Sequence, residues 1–400
     1  KISRQNKRRS QLRKLYIMQT TKSKGESMSY ILIVDGNLFA RKMFYKFKHL
    51  SSKLSSQELG IISPIFQKNT LAKLYVQDQD NEIFNKQQGV TVKVTDKRIG
   101  ERIKQITAQS SEIKIKTGIA YGVLRSLISL CKNYNIAKMV FCYDPQNRNR
   151  SKHYRFFLDK GYKAYRDERS IKKVAETIDF YEQLKLSQHI LHNMGIRQTW
   201  TDRYEADDLL QYYANKIYKK RKCLILTNDH DSFQILSPFK SLVDVGKNPH
   251  LFTSKDFIMK FNIIPSQWLD VMSLCGCSGD DVKGLPGIGE KIAVNLIREF
   301  TTIQNLLKSY RKSNNPVLTP KIIKILNIDK KRNFSEIRHT RKLVRLYGLS
   351  PKLKKELIER KKGGDIKRTV SILSCLKFKS LLGKEQIKAM KLIIKKQKGG

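Results

Sequence analysis

Tyr30-Ile31-Leu32-Ile33-Val34-Asp35-Gly36-Asn37 is the stretch on which the reading of the fold turns. Five consecutive apolar residues suit a strand buried on both faces, the kind that parallel sheets contain. The run stops at an acid, a glycine and an asparagine, which are turn residues. The same grammar returns at Met139-Val140-Phe141-Cys142-Tyr143-Asp144 and at Cys223-Leu224-Ile225-Leu226-Thr227-Asn228-Asp229-His230-Asp231. It is weaker at Ser241–Val245. Helical patterns near 38–48, 119–134, 174–194 and 205–220 alternate with these runs. That alternation predicts an α/β fold with a parallel, doubly wound sheet. From about residue 254 onward the pattern is helical only.

Ligands of open α/β sheets collect beyond the carboxyl ends of the strands, and that is where this acid-poor chain places its acids. Asp35, Asp144, Asp229 and Asp231 follow the three apolar runs. Glu205, Asp207 and Asp208 open a helix after a polar turn, and Asp280-Asp281 sit in a glycine-rich loop. Taken singly, each has an ordinary explanation, such as a turn or a helix N-terminal charge. Gathered at one sheet edge they would repel strongly unless cations lay among them. Hard oxygen donors of this kind suit Mg²⁺ or Mn²⁺. Two such ions about 4 Å apart can activate water and stabilise the leaving oxygen of a phosphodiester.

The 400 residues hold 80 Lys+Arg against 35 Asp+Glu, a formal charge of +45, which attracts polyanions and above all nucleic acid. Hydrophobic residues make up 40%, enough for a sizeable core, and length suggests about two or three domains. No apolar stretch reaches the roughly 20 residues of a membrane helix, so a soluble chain without a membrane partner is expected. Six scattered cysteines with no C-x-x-C pair predict reduced thiols, and Cys275-Gly276-Cys277 is a poor zinc site by itself.

Basic and aromatic residues interleave after Asp144, from Arg148 through Arg155 to Tyr162-Lys163-Ala164-Tyr165-Arg166. Lys163 and Arg166, three apart, would share a helix face and grip one phosphate, with Tyr162 beneath a base. Arg155 is read as a further nucleic-acid contact. Gly284-Leu285-Pro286-Gly287-Ile288-Gly289-Glu290-Lys291 lies between two apolar helices. It has neither Walker spacing nor a preceding buried strand, so it reads as a helix-hairpin-helix clamp on the DNA backbone. Gly284, Gly287, Gly289 and Lys291 are its candidate contacts. The organisation expected is a disordered basic arm over 1–27, a catalytic domain over 28–253 with an insertion at about 51–117, a DNA-binding region over 254–310 and a basic helical region over 311–400. Within the insertion, 74–76 and 90–94 read as hairpin strands.

Five segments, in this order and spacing, resemble the 5′-nuclease family, which has a PIN-like fold and includes flap endonucleases and the 5′–3′ exonuclease domain of bacterial DNA polymerase I. They are Ile33-Val-Asp35-Gly-Asn37, Tyr162-Lys163-Ala-Tyr-Arg166, Tyr204-Glu205-Ala-Asp207-Asp208, Leu226-Thr-Asn-Asp229-His-Asp231, and Gly279-Asp280-Asp281 with the glycine loop through Ala293. Leu376–Leu382 is similar to the closing motif of the polymerase-type members. The resemblance implies that Asp35, Asp144, Glu205 and Asp207 hold a first metal ion. It implies that Asp229, Asp231 and Asp280 hold a second, with Asp207 shared and Asp208 an additional acid. Lys163 and Arg166 become the basic pair at the scissile phosphate. The glycine loop becomes a helix–three-turn–helix whose carbonyls hold K⁺ while its amides hold duplex. Two departures stand out. Cys277 occupies a position where bacterial-type members carry an acid, and the insertion at 51–117 has no family counterpart.

The function expected is therefore a structure-specific 5′–3′ exonuclease or flap endonuclease that removes RNA primers or 5′ flaps in replication and repair. Its partners would be branched or 5′-flap DNA and RNA–DNA duplex, with a replication polymerase or single-strand-binding protein as protein partner, and the chain would act as a monomer. The expected location is cytoplasmic or nucleoid-associated in a bacterial or phage-infected cell, with organelle import left open. Two rivals remain at this stage: a PIN-type endoribonuclease, and a catalytically dead DNA-junction binder.

Overall fold

The computed structural model describes residues 29–55, 58, 61–62, 113–145, 153–163, 171–244, 250–310, 315–327, 330–360 and 363–398. The basic arm, the hairpin strands expected at 74–76 and 90–94, and Arg166 lie outside the described residues. The strands in chain order are β1 (Tyr30–Asp35), β2 (Ser51–Leu54), β3 (Ile113–Lys116), β4 (Ile136–Cys142), β5 (Arg197–Trp200), β6 (Cys223–Leu226), β7 (Lys240–Val243), β8 (Leu251–Phe252), β9 (Gly276–Cys277), β10 (Val282–Lys283) and β11 (Ile358–Arg360). The chain divides into two compact units.

The first unit comprises Lys1–Leu38, Tyr134–Glu168 and Gln198–Glu359. Its sheet runs β11-β5-β4-β1-β6-β7-β8. β1 is the central strand because Ile31 to Val34 are almost completely buried, and it pairs in parallel with both β4 and β6. The register sets Ile33 beside Val140 on one side and Ile225 on the other. β6 and β7 are also parallel, whereas β8 returns antiparallel, so the sheet is mostly rather than wholly parallel.

Beyond residue 254 helices dominate, as expected. They begin with α1 (Ser254–Phe261) and α2 (Trp268–Cys275), then α3 (Glu290–Phe300), and later α4 (Lys330–Val344). Trp268 is fully buried, with the rings of Phe233, Phe257 and Phe261 centred 5.2, 5.6 and 4.9 Å away. α2 packs against both α3 and α4, and one core runs from Ile31 and Ile33 of the sheet to Ile297 and Leu343 of these helices. The expectation of helix alone is corrected in two places. β9 and β10 form a small antiparallel ribbon, and β11 joins the edge of the main sheet. None of these three strands has the length or apolar run that marks a strand in sequence.

The second unit comprises Phe39–Asn133, Arg169–Arg197 and Arg360–Gly400. Helix Gly118–Asn133 buries Ile119, Val123, Leu124 and Leu127, and packs against Ile171–Asn193 and Lys384–Lys398. The ends of the expected insertion, β2 and β3, pair antiparallel with Ser51 opposite Lys116. The Leu376–Leu382 motif places Phe378 edge-on to Tyr121, with ring centres 5.4 Å apart. No helix among the described residues is long and apolar enough to cross a membrane.

Candidate active site

Parallel pairing brings the carboxyl ends of β1, β4 and β6 to the same edge of the sheet. Asp35 closes β1, Asp144 lies just past β4 and Asp229 just past β6. Backbone amides fix these side chains. Asp35 Oδ1 accepts from the Leu38 N–H at 2.9 Å. The Asp144 N–H donates to Asn37 Oδ1 at 3.2 Å, while its own Oδ1 accepts from the Ala206 N–H at 3.0 Å. Asp144 thus ties the first turn of helix Gly36–Lys46 to the start of helix Ala206–Tyr212. Glu205 caps that helix, which is how Glu205 and Asp207 come to lie at one place although residues two apart in mid-helix would diverge. Asp229 Oδ1 accepts from the Asp231 N–H at 2.9 Å.

The electrostatics show how closely these carboxyls crowd. Burial, followed by Asp144 and Asp229, pushes the Asp35 carboxyl up to about 8. Burial, Asp229 and Asp280 push Asp231 up to about 8. Asp207 is driven well above the usual carboxylate range by burial and by Asp229, Asp35 and Asp231. Asp207 Oδ1 and Asp231 Oδ1 are buried with no hydrogen-bond partner among the described residues. Buried oxygens that lack a donor and repel one another fit a divalent cation, which would satisfy both conditions. Glu205 behaves oppositely. Burial opposes its charge, but Lys163 and Arg155 outweigh that and hold it down at about 2.

Asp231, Cys277 and Asp280 place their donor atoms within 4.8 Å of one another, the one trio of metal-ligating side chains so placed among the described residues. The β9–β10 ribbon sets this geometry. A Cβ on Gly276 (φ +73°) would lie 2.3 Å from the Val282 carbonyl, and one on Gly284 would lie 2.2 Å from the Cys275 carbonyl carbon. Only glycine permits that crossing, which puts Cys277 and the short 3-10 turn Ser278–Asp280 beside Asp231. Burial and the neighbouring Asp231 and Asp280 push the Cys277 thiol up to about 12.

Lys163 lies against the same acids. Its Nζ is 2.7 Å from Glu205 and 3.5 Å from Asp280, and its N–H donates to the Asp280 carbonyl at 3.0 Å. It sits in a turn at φ +56°, not on the helix expected from its spacing to Arg166. Three further expectations are corrected. Tyr162 is buried and donates its hydroxyl to Glu205 at 2.8 Å and to Asp280 at 3.1 Å, so it braces carboxylates and offers no face to a base. Arg155 is 5% exposed and Asp208 0%. They form a two-bond pair at 2.8 and 3.0 Å, and Asp208 also accepts from the Tyr347 N–H at 2.7 Å. Asp208 is thereby spent on protein donors and is not placed as a metal ligand, and Arg155 cannot reach a phosphate. Of the glycine loop, Gly287 (φ +83°) and Gly289 are exposed, Gly289 caps α3, and Lys291 is exposed on its first turn.

Sequence reasoning missed two contributors. One is Asn37, whose side chain holds Asp144; its signal was the Asp-Gly-Asn turn. The other is Cys277 as a potential donor, signalled by its place three residues before Asp280.

The geometry agrees with what this chain is similar to. Residues 102–262 match the 5′-3′ exonuclease N-terminal resolvase-like domain, and residues 263–362 match the 5′-3′ exonuclease C-terminal SAM fold. A 5′-3′ exonuclease of Halalkalibacterium halodurans is 32% identical over 183 residues, 45% of this chain and 57% of that protein. One from Bacillus subtilis is 30% identical over 198 residues, 49% of this chain and 63% of that protein. The thermostable DNA polymerase I of Thermus filiformis is 32% identical over 192 residues, 48% of this chain and 21% of the polymerase. The matches thus span under two thirds of these relatives. Among solved structures, the T5 5′-exonuclease with bound divalent zinc ions superposes with a TM-score of 0.51 at 16% identity, covering 92% of this chain and 99% of that one, which is a likeness of fold. With both domains of the family matched in tandem and the acids of its motifs drawn to one sheet edge, the chain belongs to the 5′-nuclease (5′–3′ exonuclease) family.

Proposed function

We propose that this protein is a divalent-metal-dependent, structure-specific 5′ nuclease that hydrolyses phosphodiesters in branched or primer-bearing DNA, clearing 5′ flaps or RNA primers during replication and repair. The observation that carries this reading is the convergence of Asp35, Asp144, Glu205, Asp207, Asp229, Asp231 and Asp280, from stretches far apart in sequence, with the half-buried Lys163 ammonium paired to Glu205 and Asp280. Asp35, Asp144, Glu205 and Asp207 would hold one ion, and Asp229, Asp231 and Asp280 the other, with Asp207 facing both. Mg²⁺ or Mn²⁺, when bound, supplies an activated water and neutralises charge on the scissile group. The chain's own residues do the positioning. Lys163 presents a fixed ammonium at the place where a phosphate meets the carboxylates. Its backbone bond to Asp280 and the Tyr162 hydroxyl keep that cation in register with the acids. The exposed glycine loop, with the amides of the first turn of α3, suits a duplex phosphate backbone.

Product mapping on a 5′-end-labelled flap tests this reading. Short 5′ fragments should appear only when Mg²⁺ or Mn²⁺ is added. Preferential cutting of matched single-stranded RNA would instead make the protein a PIN-type ribonuclease. Metal-independent binding of the flap with no product would make it a junction binder.

A further inference from the structure

We infer that Cys277 is a sulfur ligand at the second divalent-ion position, and that this position therefore favours a borderline ion such as Co²⁺ or Zn²⁺ over Mg²⁺. The inference rests on the nuclease reading above and refines its metal chemistry.

Three observations carry it. The donor atoms of Asp231, Cys277 and Asp280 lie within 4.8 Å of one another, a spacing that one ion can bridge. Asp231 is 9% exposed and its Oδ1 has no hydrogen-bond partner among the described residues, so a buried oxygen in the trio is left for a ligand. Cys277 is held in place by the β9–β10 ribbon, whose crossing at Gly276 and Gly284 admits no Cβ. Cys142 offers the contrast. It is completely buried within a strand of the main sheet, as a cysteine used only for packing is, whereas Cys277 is partly exposed beside two carboxylates.

The chemistry follows from the donor set. A thiolate at Cys277 carries the same formal charge as the carboxylate that stands at this position in bacterial-type members, so beside Asp229, Asp231 and Asp280 the site can still neutralise a divalent ion. Mg²⁺ demands oxygen donors and binds sulfur poorly. Co²⁺ and Zn²⁺ accept mixed oxygen and sulfur donors, and sulfur raises affinity most for the softer ions. Coordination breaks one S–H bond and forms one sulfur–metal bond, the proton leaves to solvent, and no oxidation state changes.

Co²⁺ titration of the full chain tests this without an activity assay. Thiolate–Co²⁺ coordination gives a near-ultraviolet charge-transfer band, and carboxylate–Co²⁺ coordination gives none. The band should saturate in the wild-type protein, persist in Cys275→Ser and vanish in Cys277→Ser and Cys277→Asp. By calorimetry, Cys277→Asp should gain about tenfold or more in Mg²⁺ affinity at this position, the lower end of what even an outer-shell change costs a metal site. Thermal melts of the three variants confirm folding, and Cys277→Ser is nearly isosteric. Visible Co²⁺ bands without the near-ultraviolet band, or a band that survives in Cys277→Ser, would overturn the inference while leaving the nuclease reading intact. Failure to bind Co²⁺, Mn²⁺ or Mg²⁺ at all would overturn both.

Discussion

Lys163, half-buried, and Arg155, buried, are both basic and both paired with Glu205, yet the structure gives them opposite work. Lys163 stands among carboxylates that its charge cannot fully neutralise. Lys163→Ala should lower single-turnover flap cleavage by about 100-fold, the usual cost of losing one charge-stabilising donor, while flap binding in Ca²⁺ survives. Arg155 is enclosed with Asp208, and removing one partner strands the other's charge. Arg155→Ala should cost about 3–5 kcal/mol, read as a large drop in melting temperature. Asp208→Asn should likewise lower the melting temperature yet leave divalent-ion affinity close to wild type. The crowded acids also have a pH signature in the metal-free protein. Asp231 titrates near its ordinary 3.8 when unfolded and at about 8 when folded, so the folded state binds its proton more tightly. Its contribution to stability is complete below about pH 4 and is lost as pH rises toward 8. In chelator, the melting temperature of wild type relative to Asp231→Asn should fall across that window, and saturating Mn²⁺ should flatten the fall. A relative rise would contradict the crowding.

Among the elements, the β9–β10 ribbon and the glycine loop make separable predictions. Gly276→Ala drives a Cβ into the Val282 carbonyl at a positive φ, so it should destabilise the fold and weaken ion binding by the Asp231–Cys277–Asp280 trio together. Gly289→Ala meets nothing within 4 Å at an ordinary φ, so its melting temperature should stay near wild type. A loss of duplex affinity in that variant, measured by anisotropy, would then report close approach of the DNA backbone. Much of this architecture is legible in sequence because β1, β4 and β6 are buried on both faces and must be written as apolar runs, with their acids standing where the runs stop. β5 is illegible because Arg197-Gln198-Thr199-Trp200 is polar, although Gln198 and Thr199 are buried between neighbouring strands. β11 is illegible because Ile358, Glu359 and Arg360 are all exposed and pair only because the fold delivers them to an edge. Arg155 reads as a phosphate contact because it sits in a basic, aromatic stretch, and only its burial against Asp208 tells otherwise. Lys163 reads as helical from spacing, whereas the turn at Gly161 takes it to a positive φ.

At the scale of the whole molecule, the charge of +45 should govern encounter with nucleic acid. If about six phosphates are contacted, duplex affinity should fall roughly 10³-fold between about 50 and 200 mM salt, and a flat response would locate the binding energy elsewhere. The second consequence concerns the stretch after α4. Arg155 donates to the Leu343 carbonyl at 2.7 Å and to the Arg345 carbonyl at 3.0 Å, and a Cβ on Gly348 would lie 2.3 Å from the Asp208 carbonyl. The floor beneath Glu205 is therefore laid by residues translated long after the last carboxylate. A nascent chain that has emerged only as far as the glycine loop already carries every acid of the cluster but lacks this underpinning. On the nuclease reading, competence to cut should switch on only once the polypeptide around Tyr347 has been made.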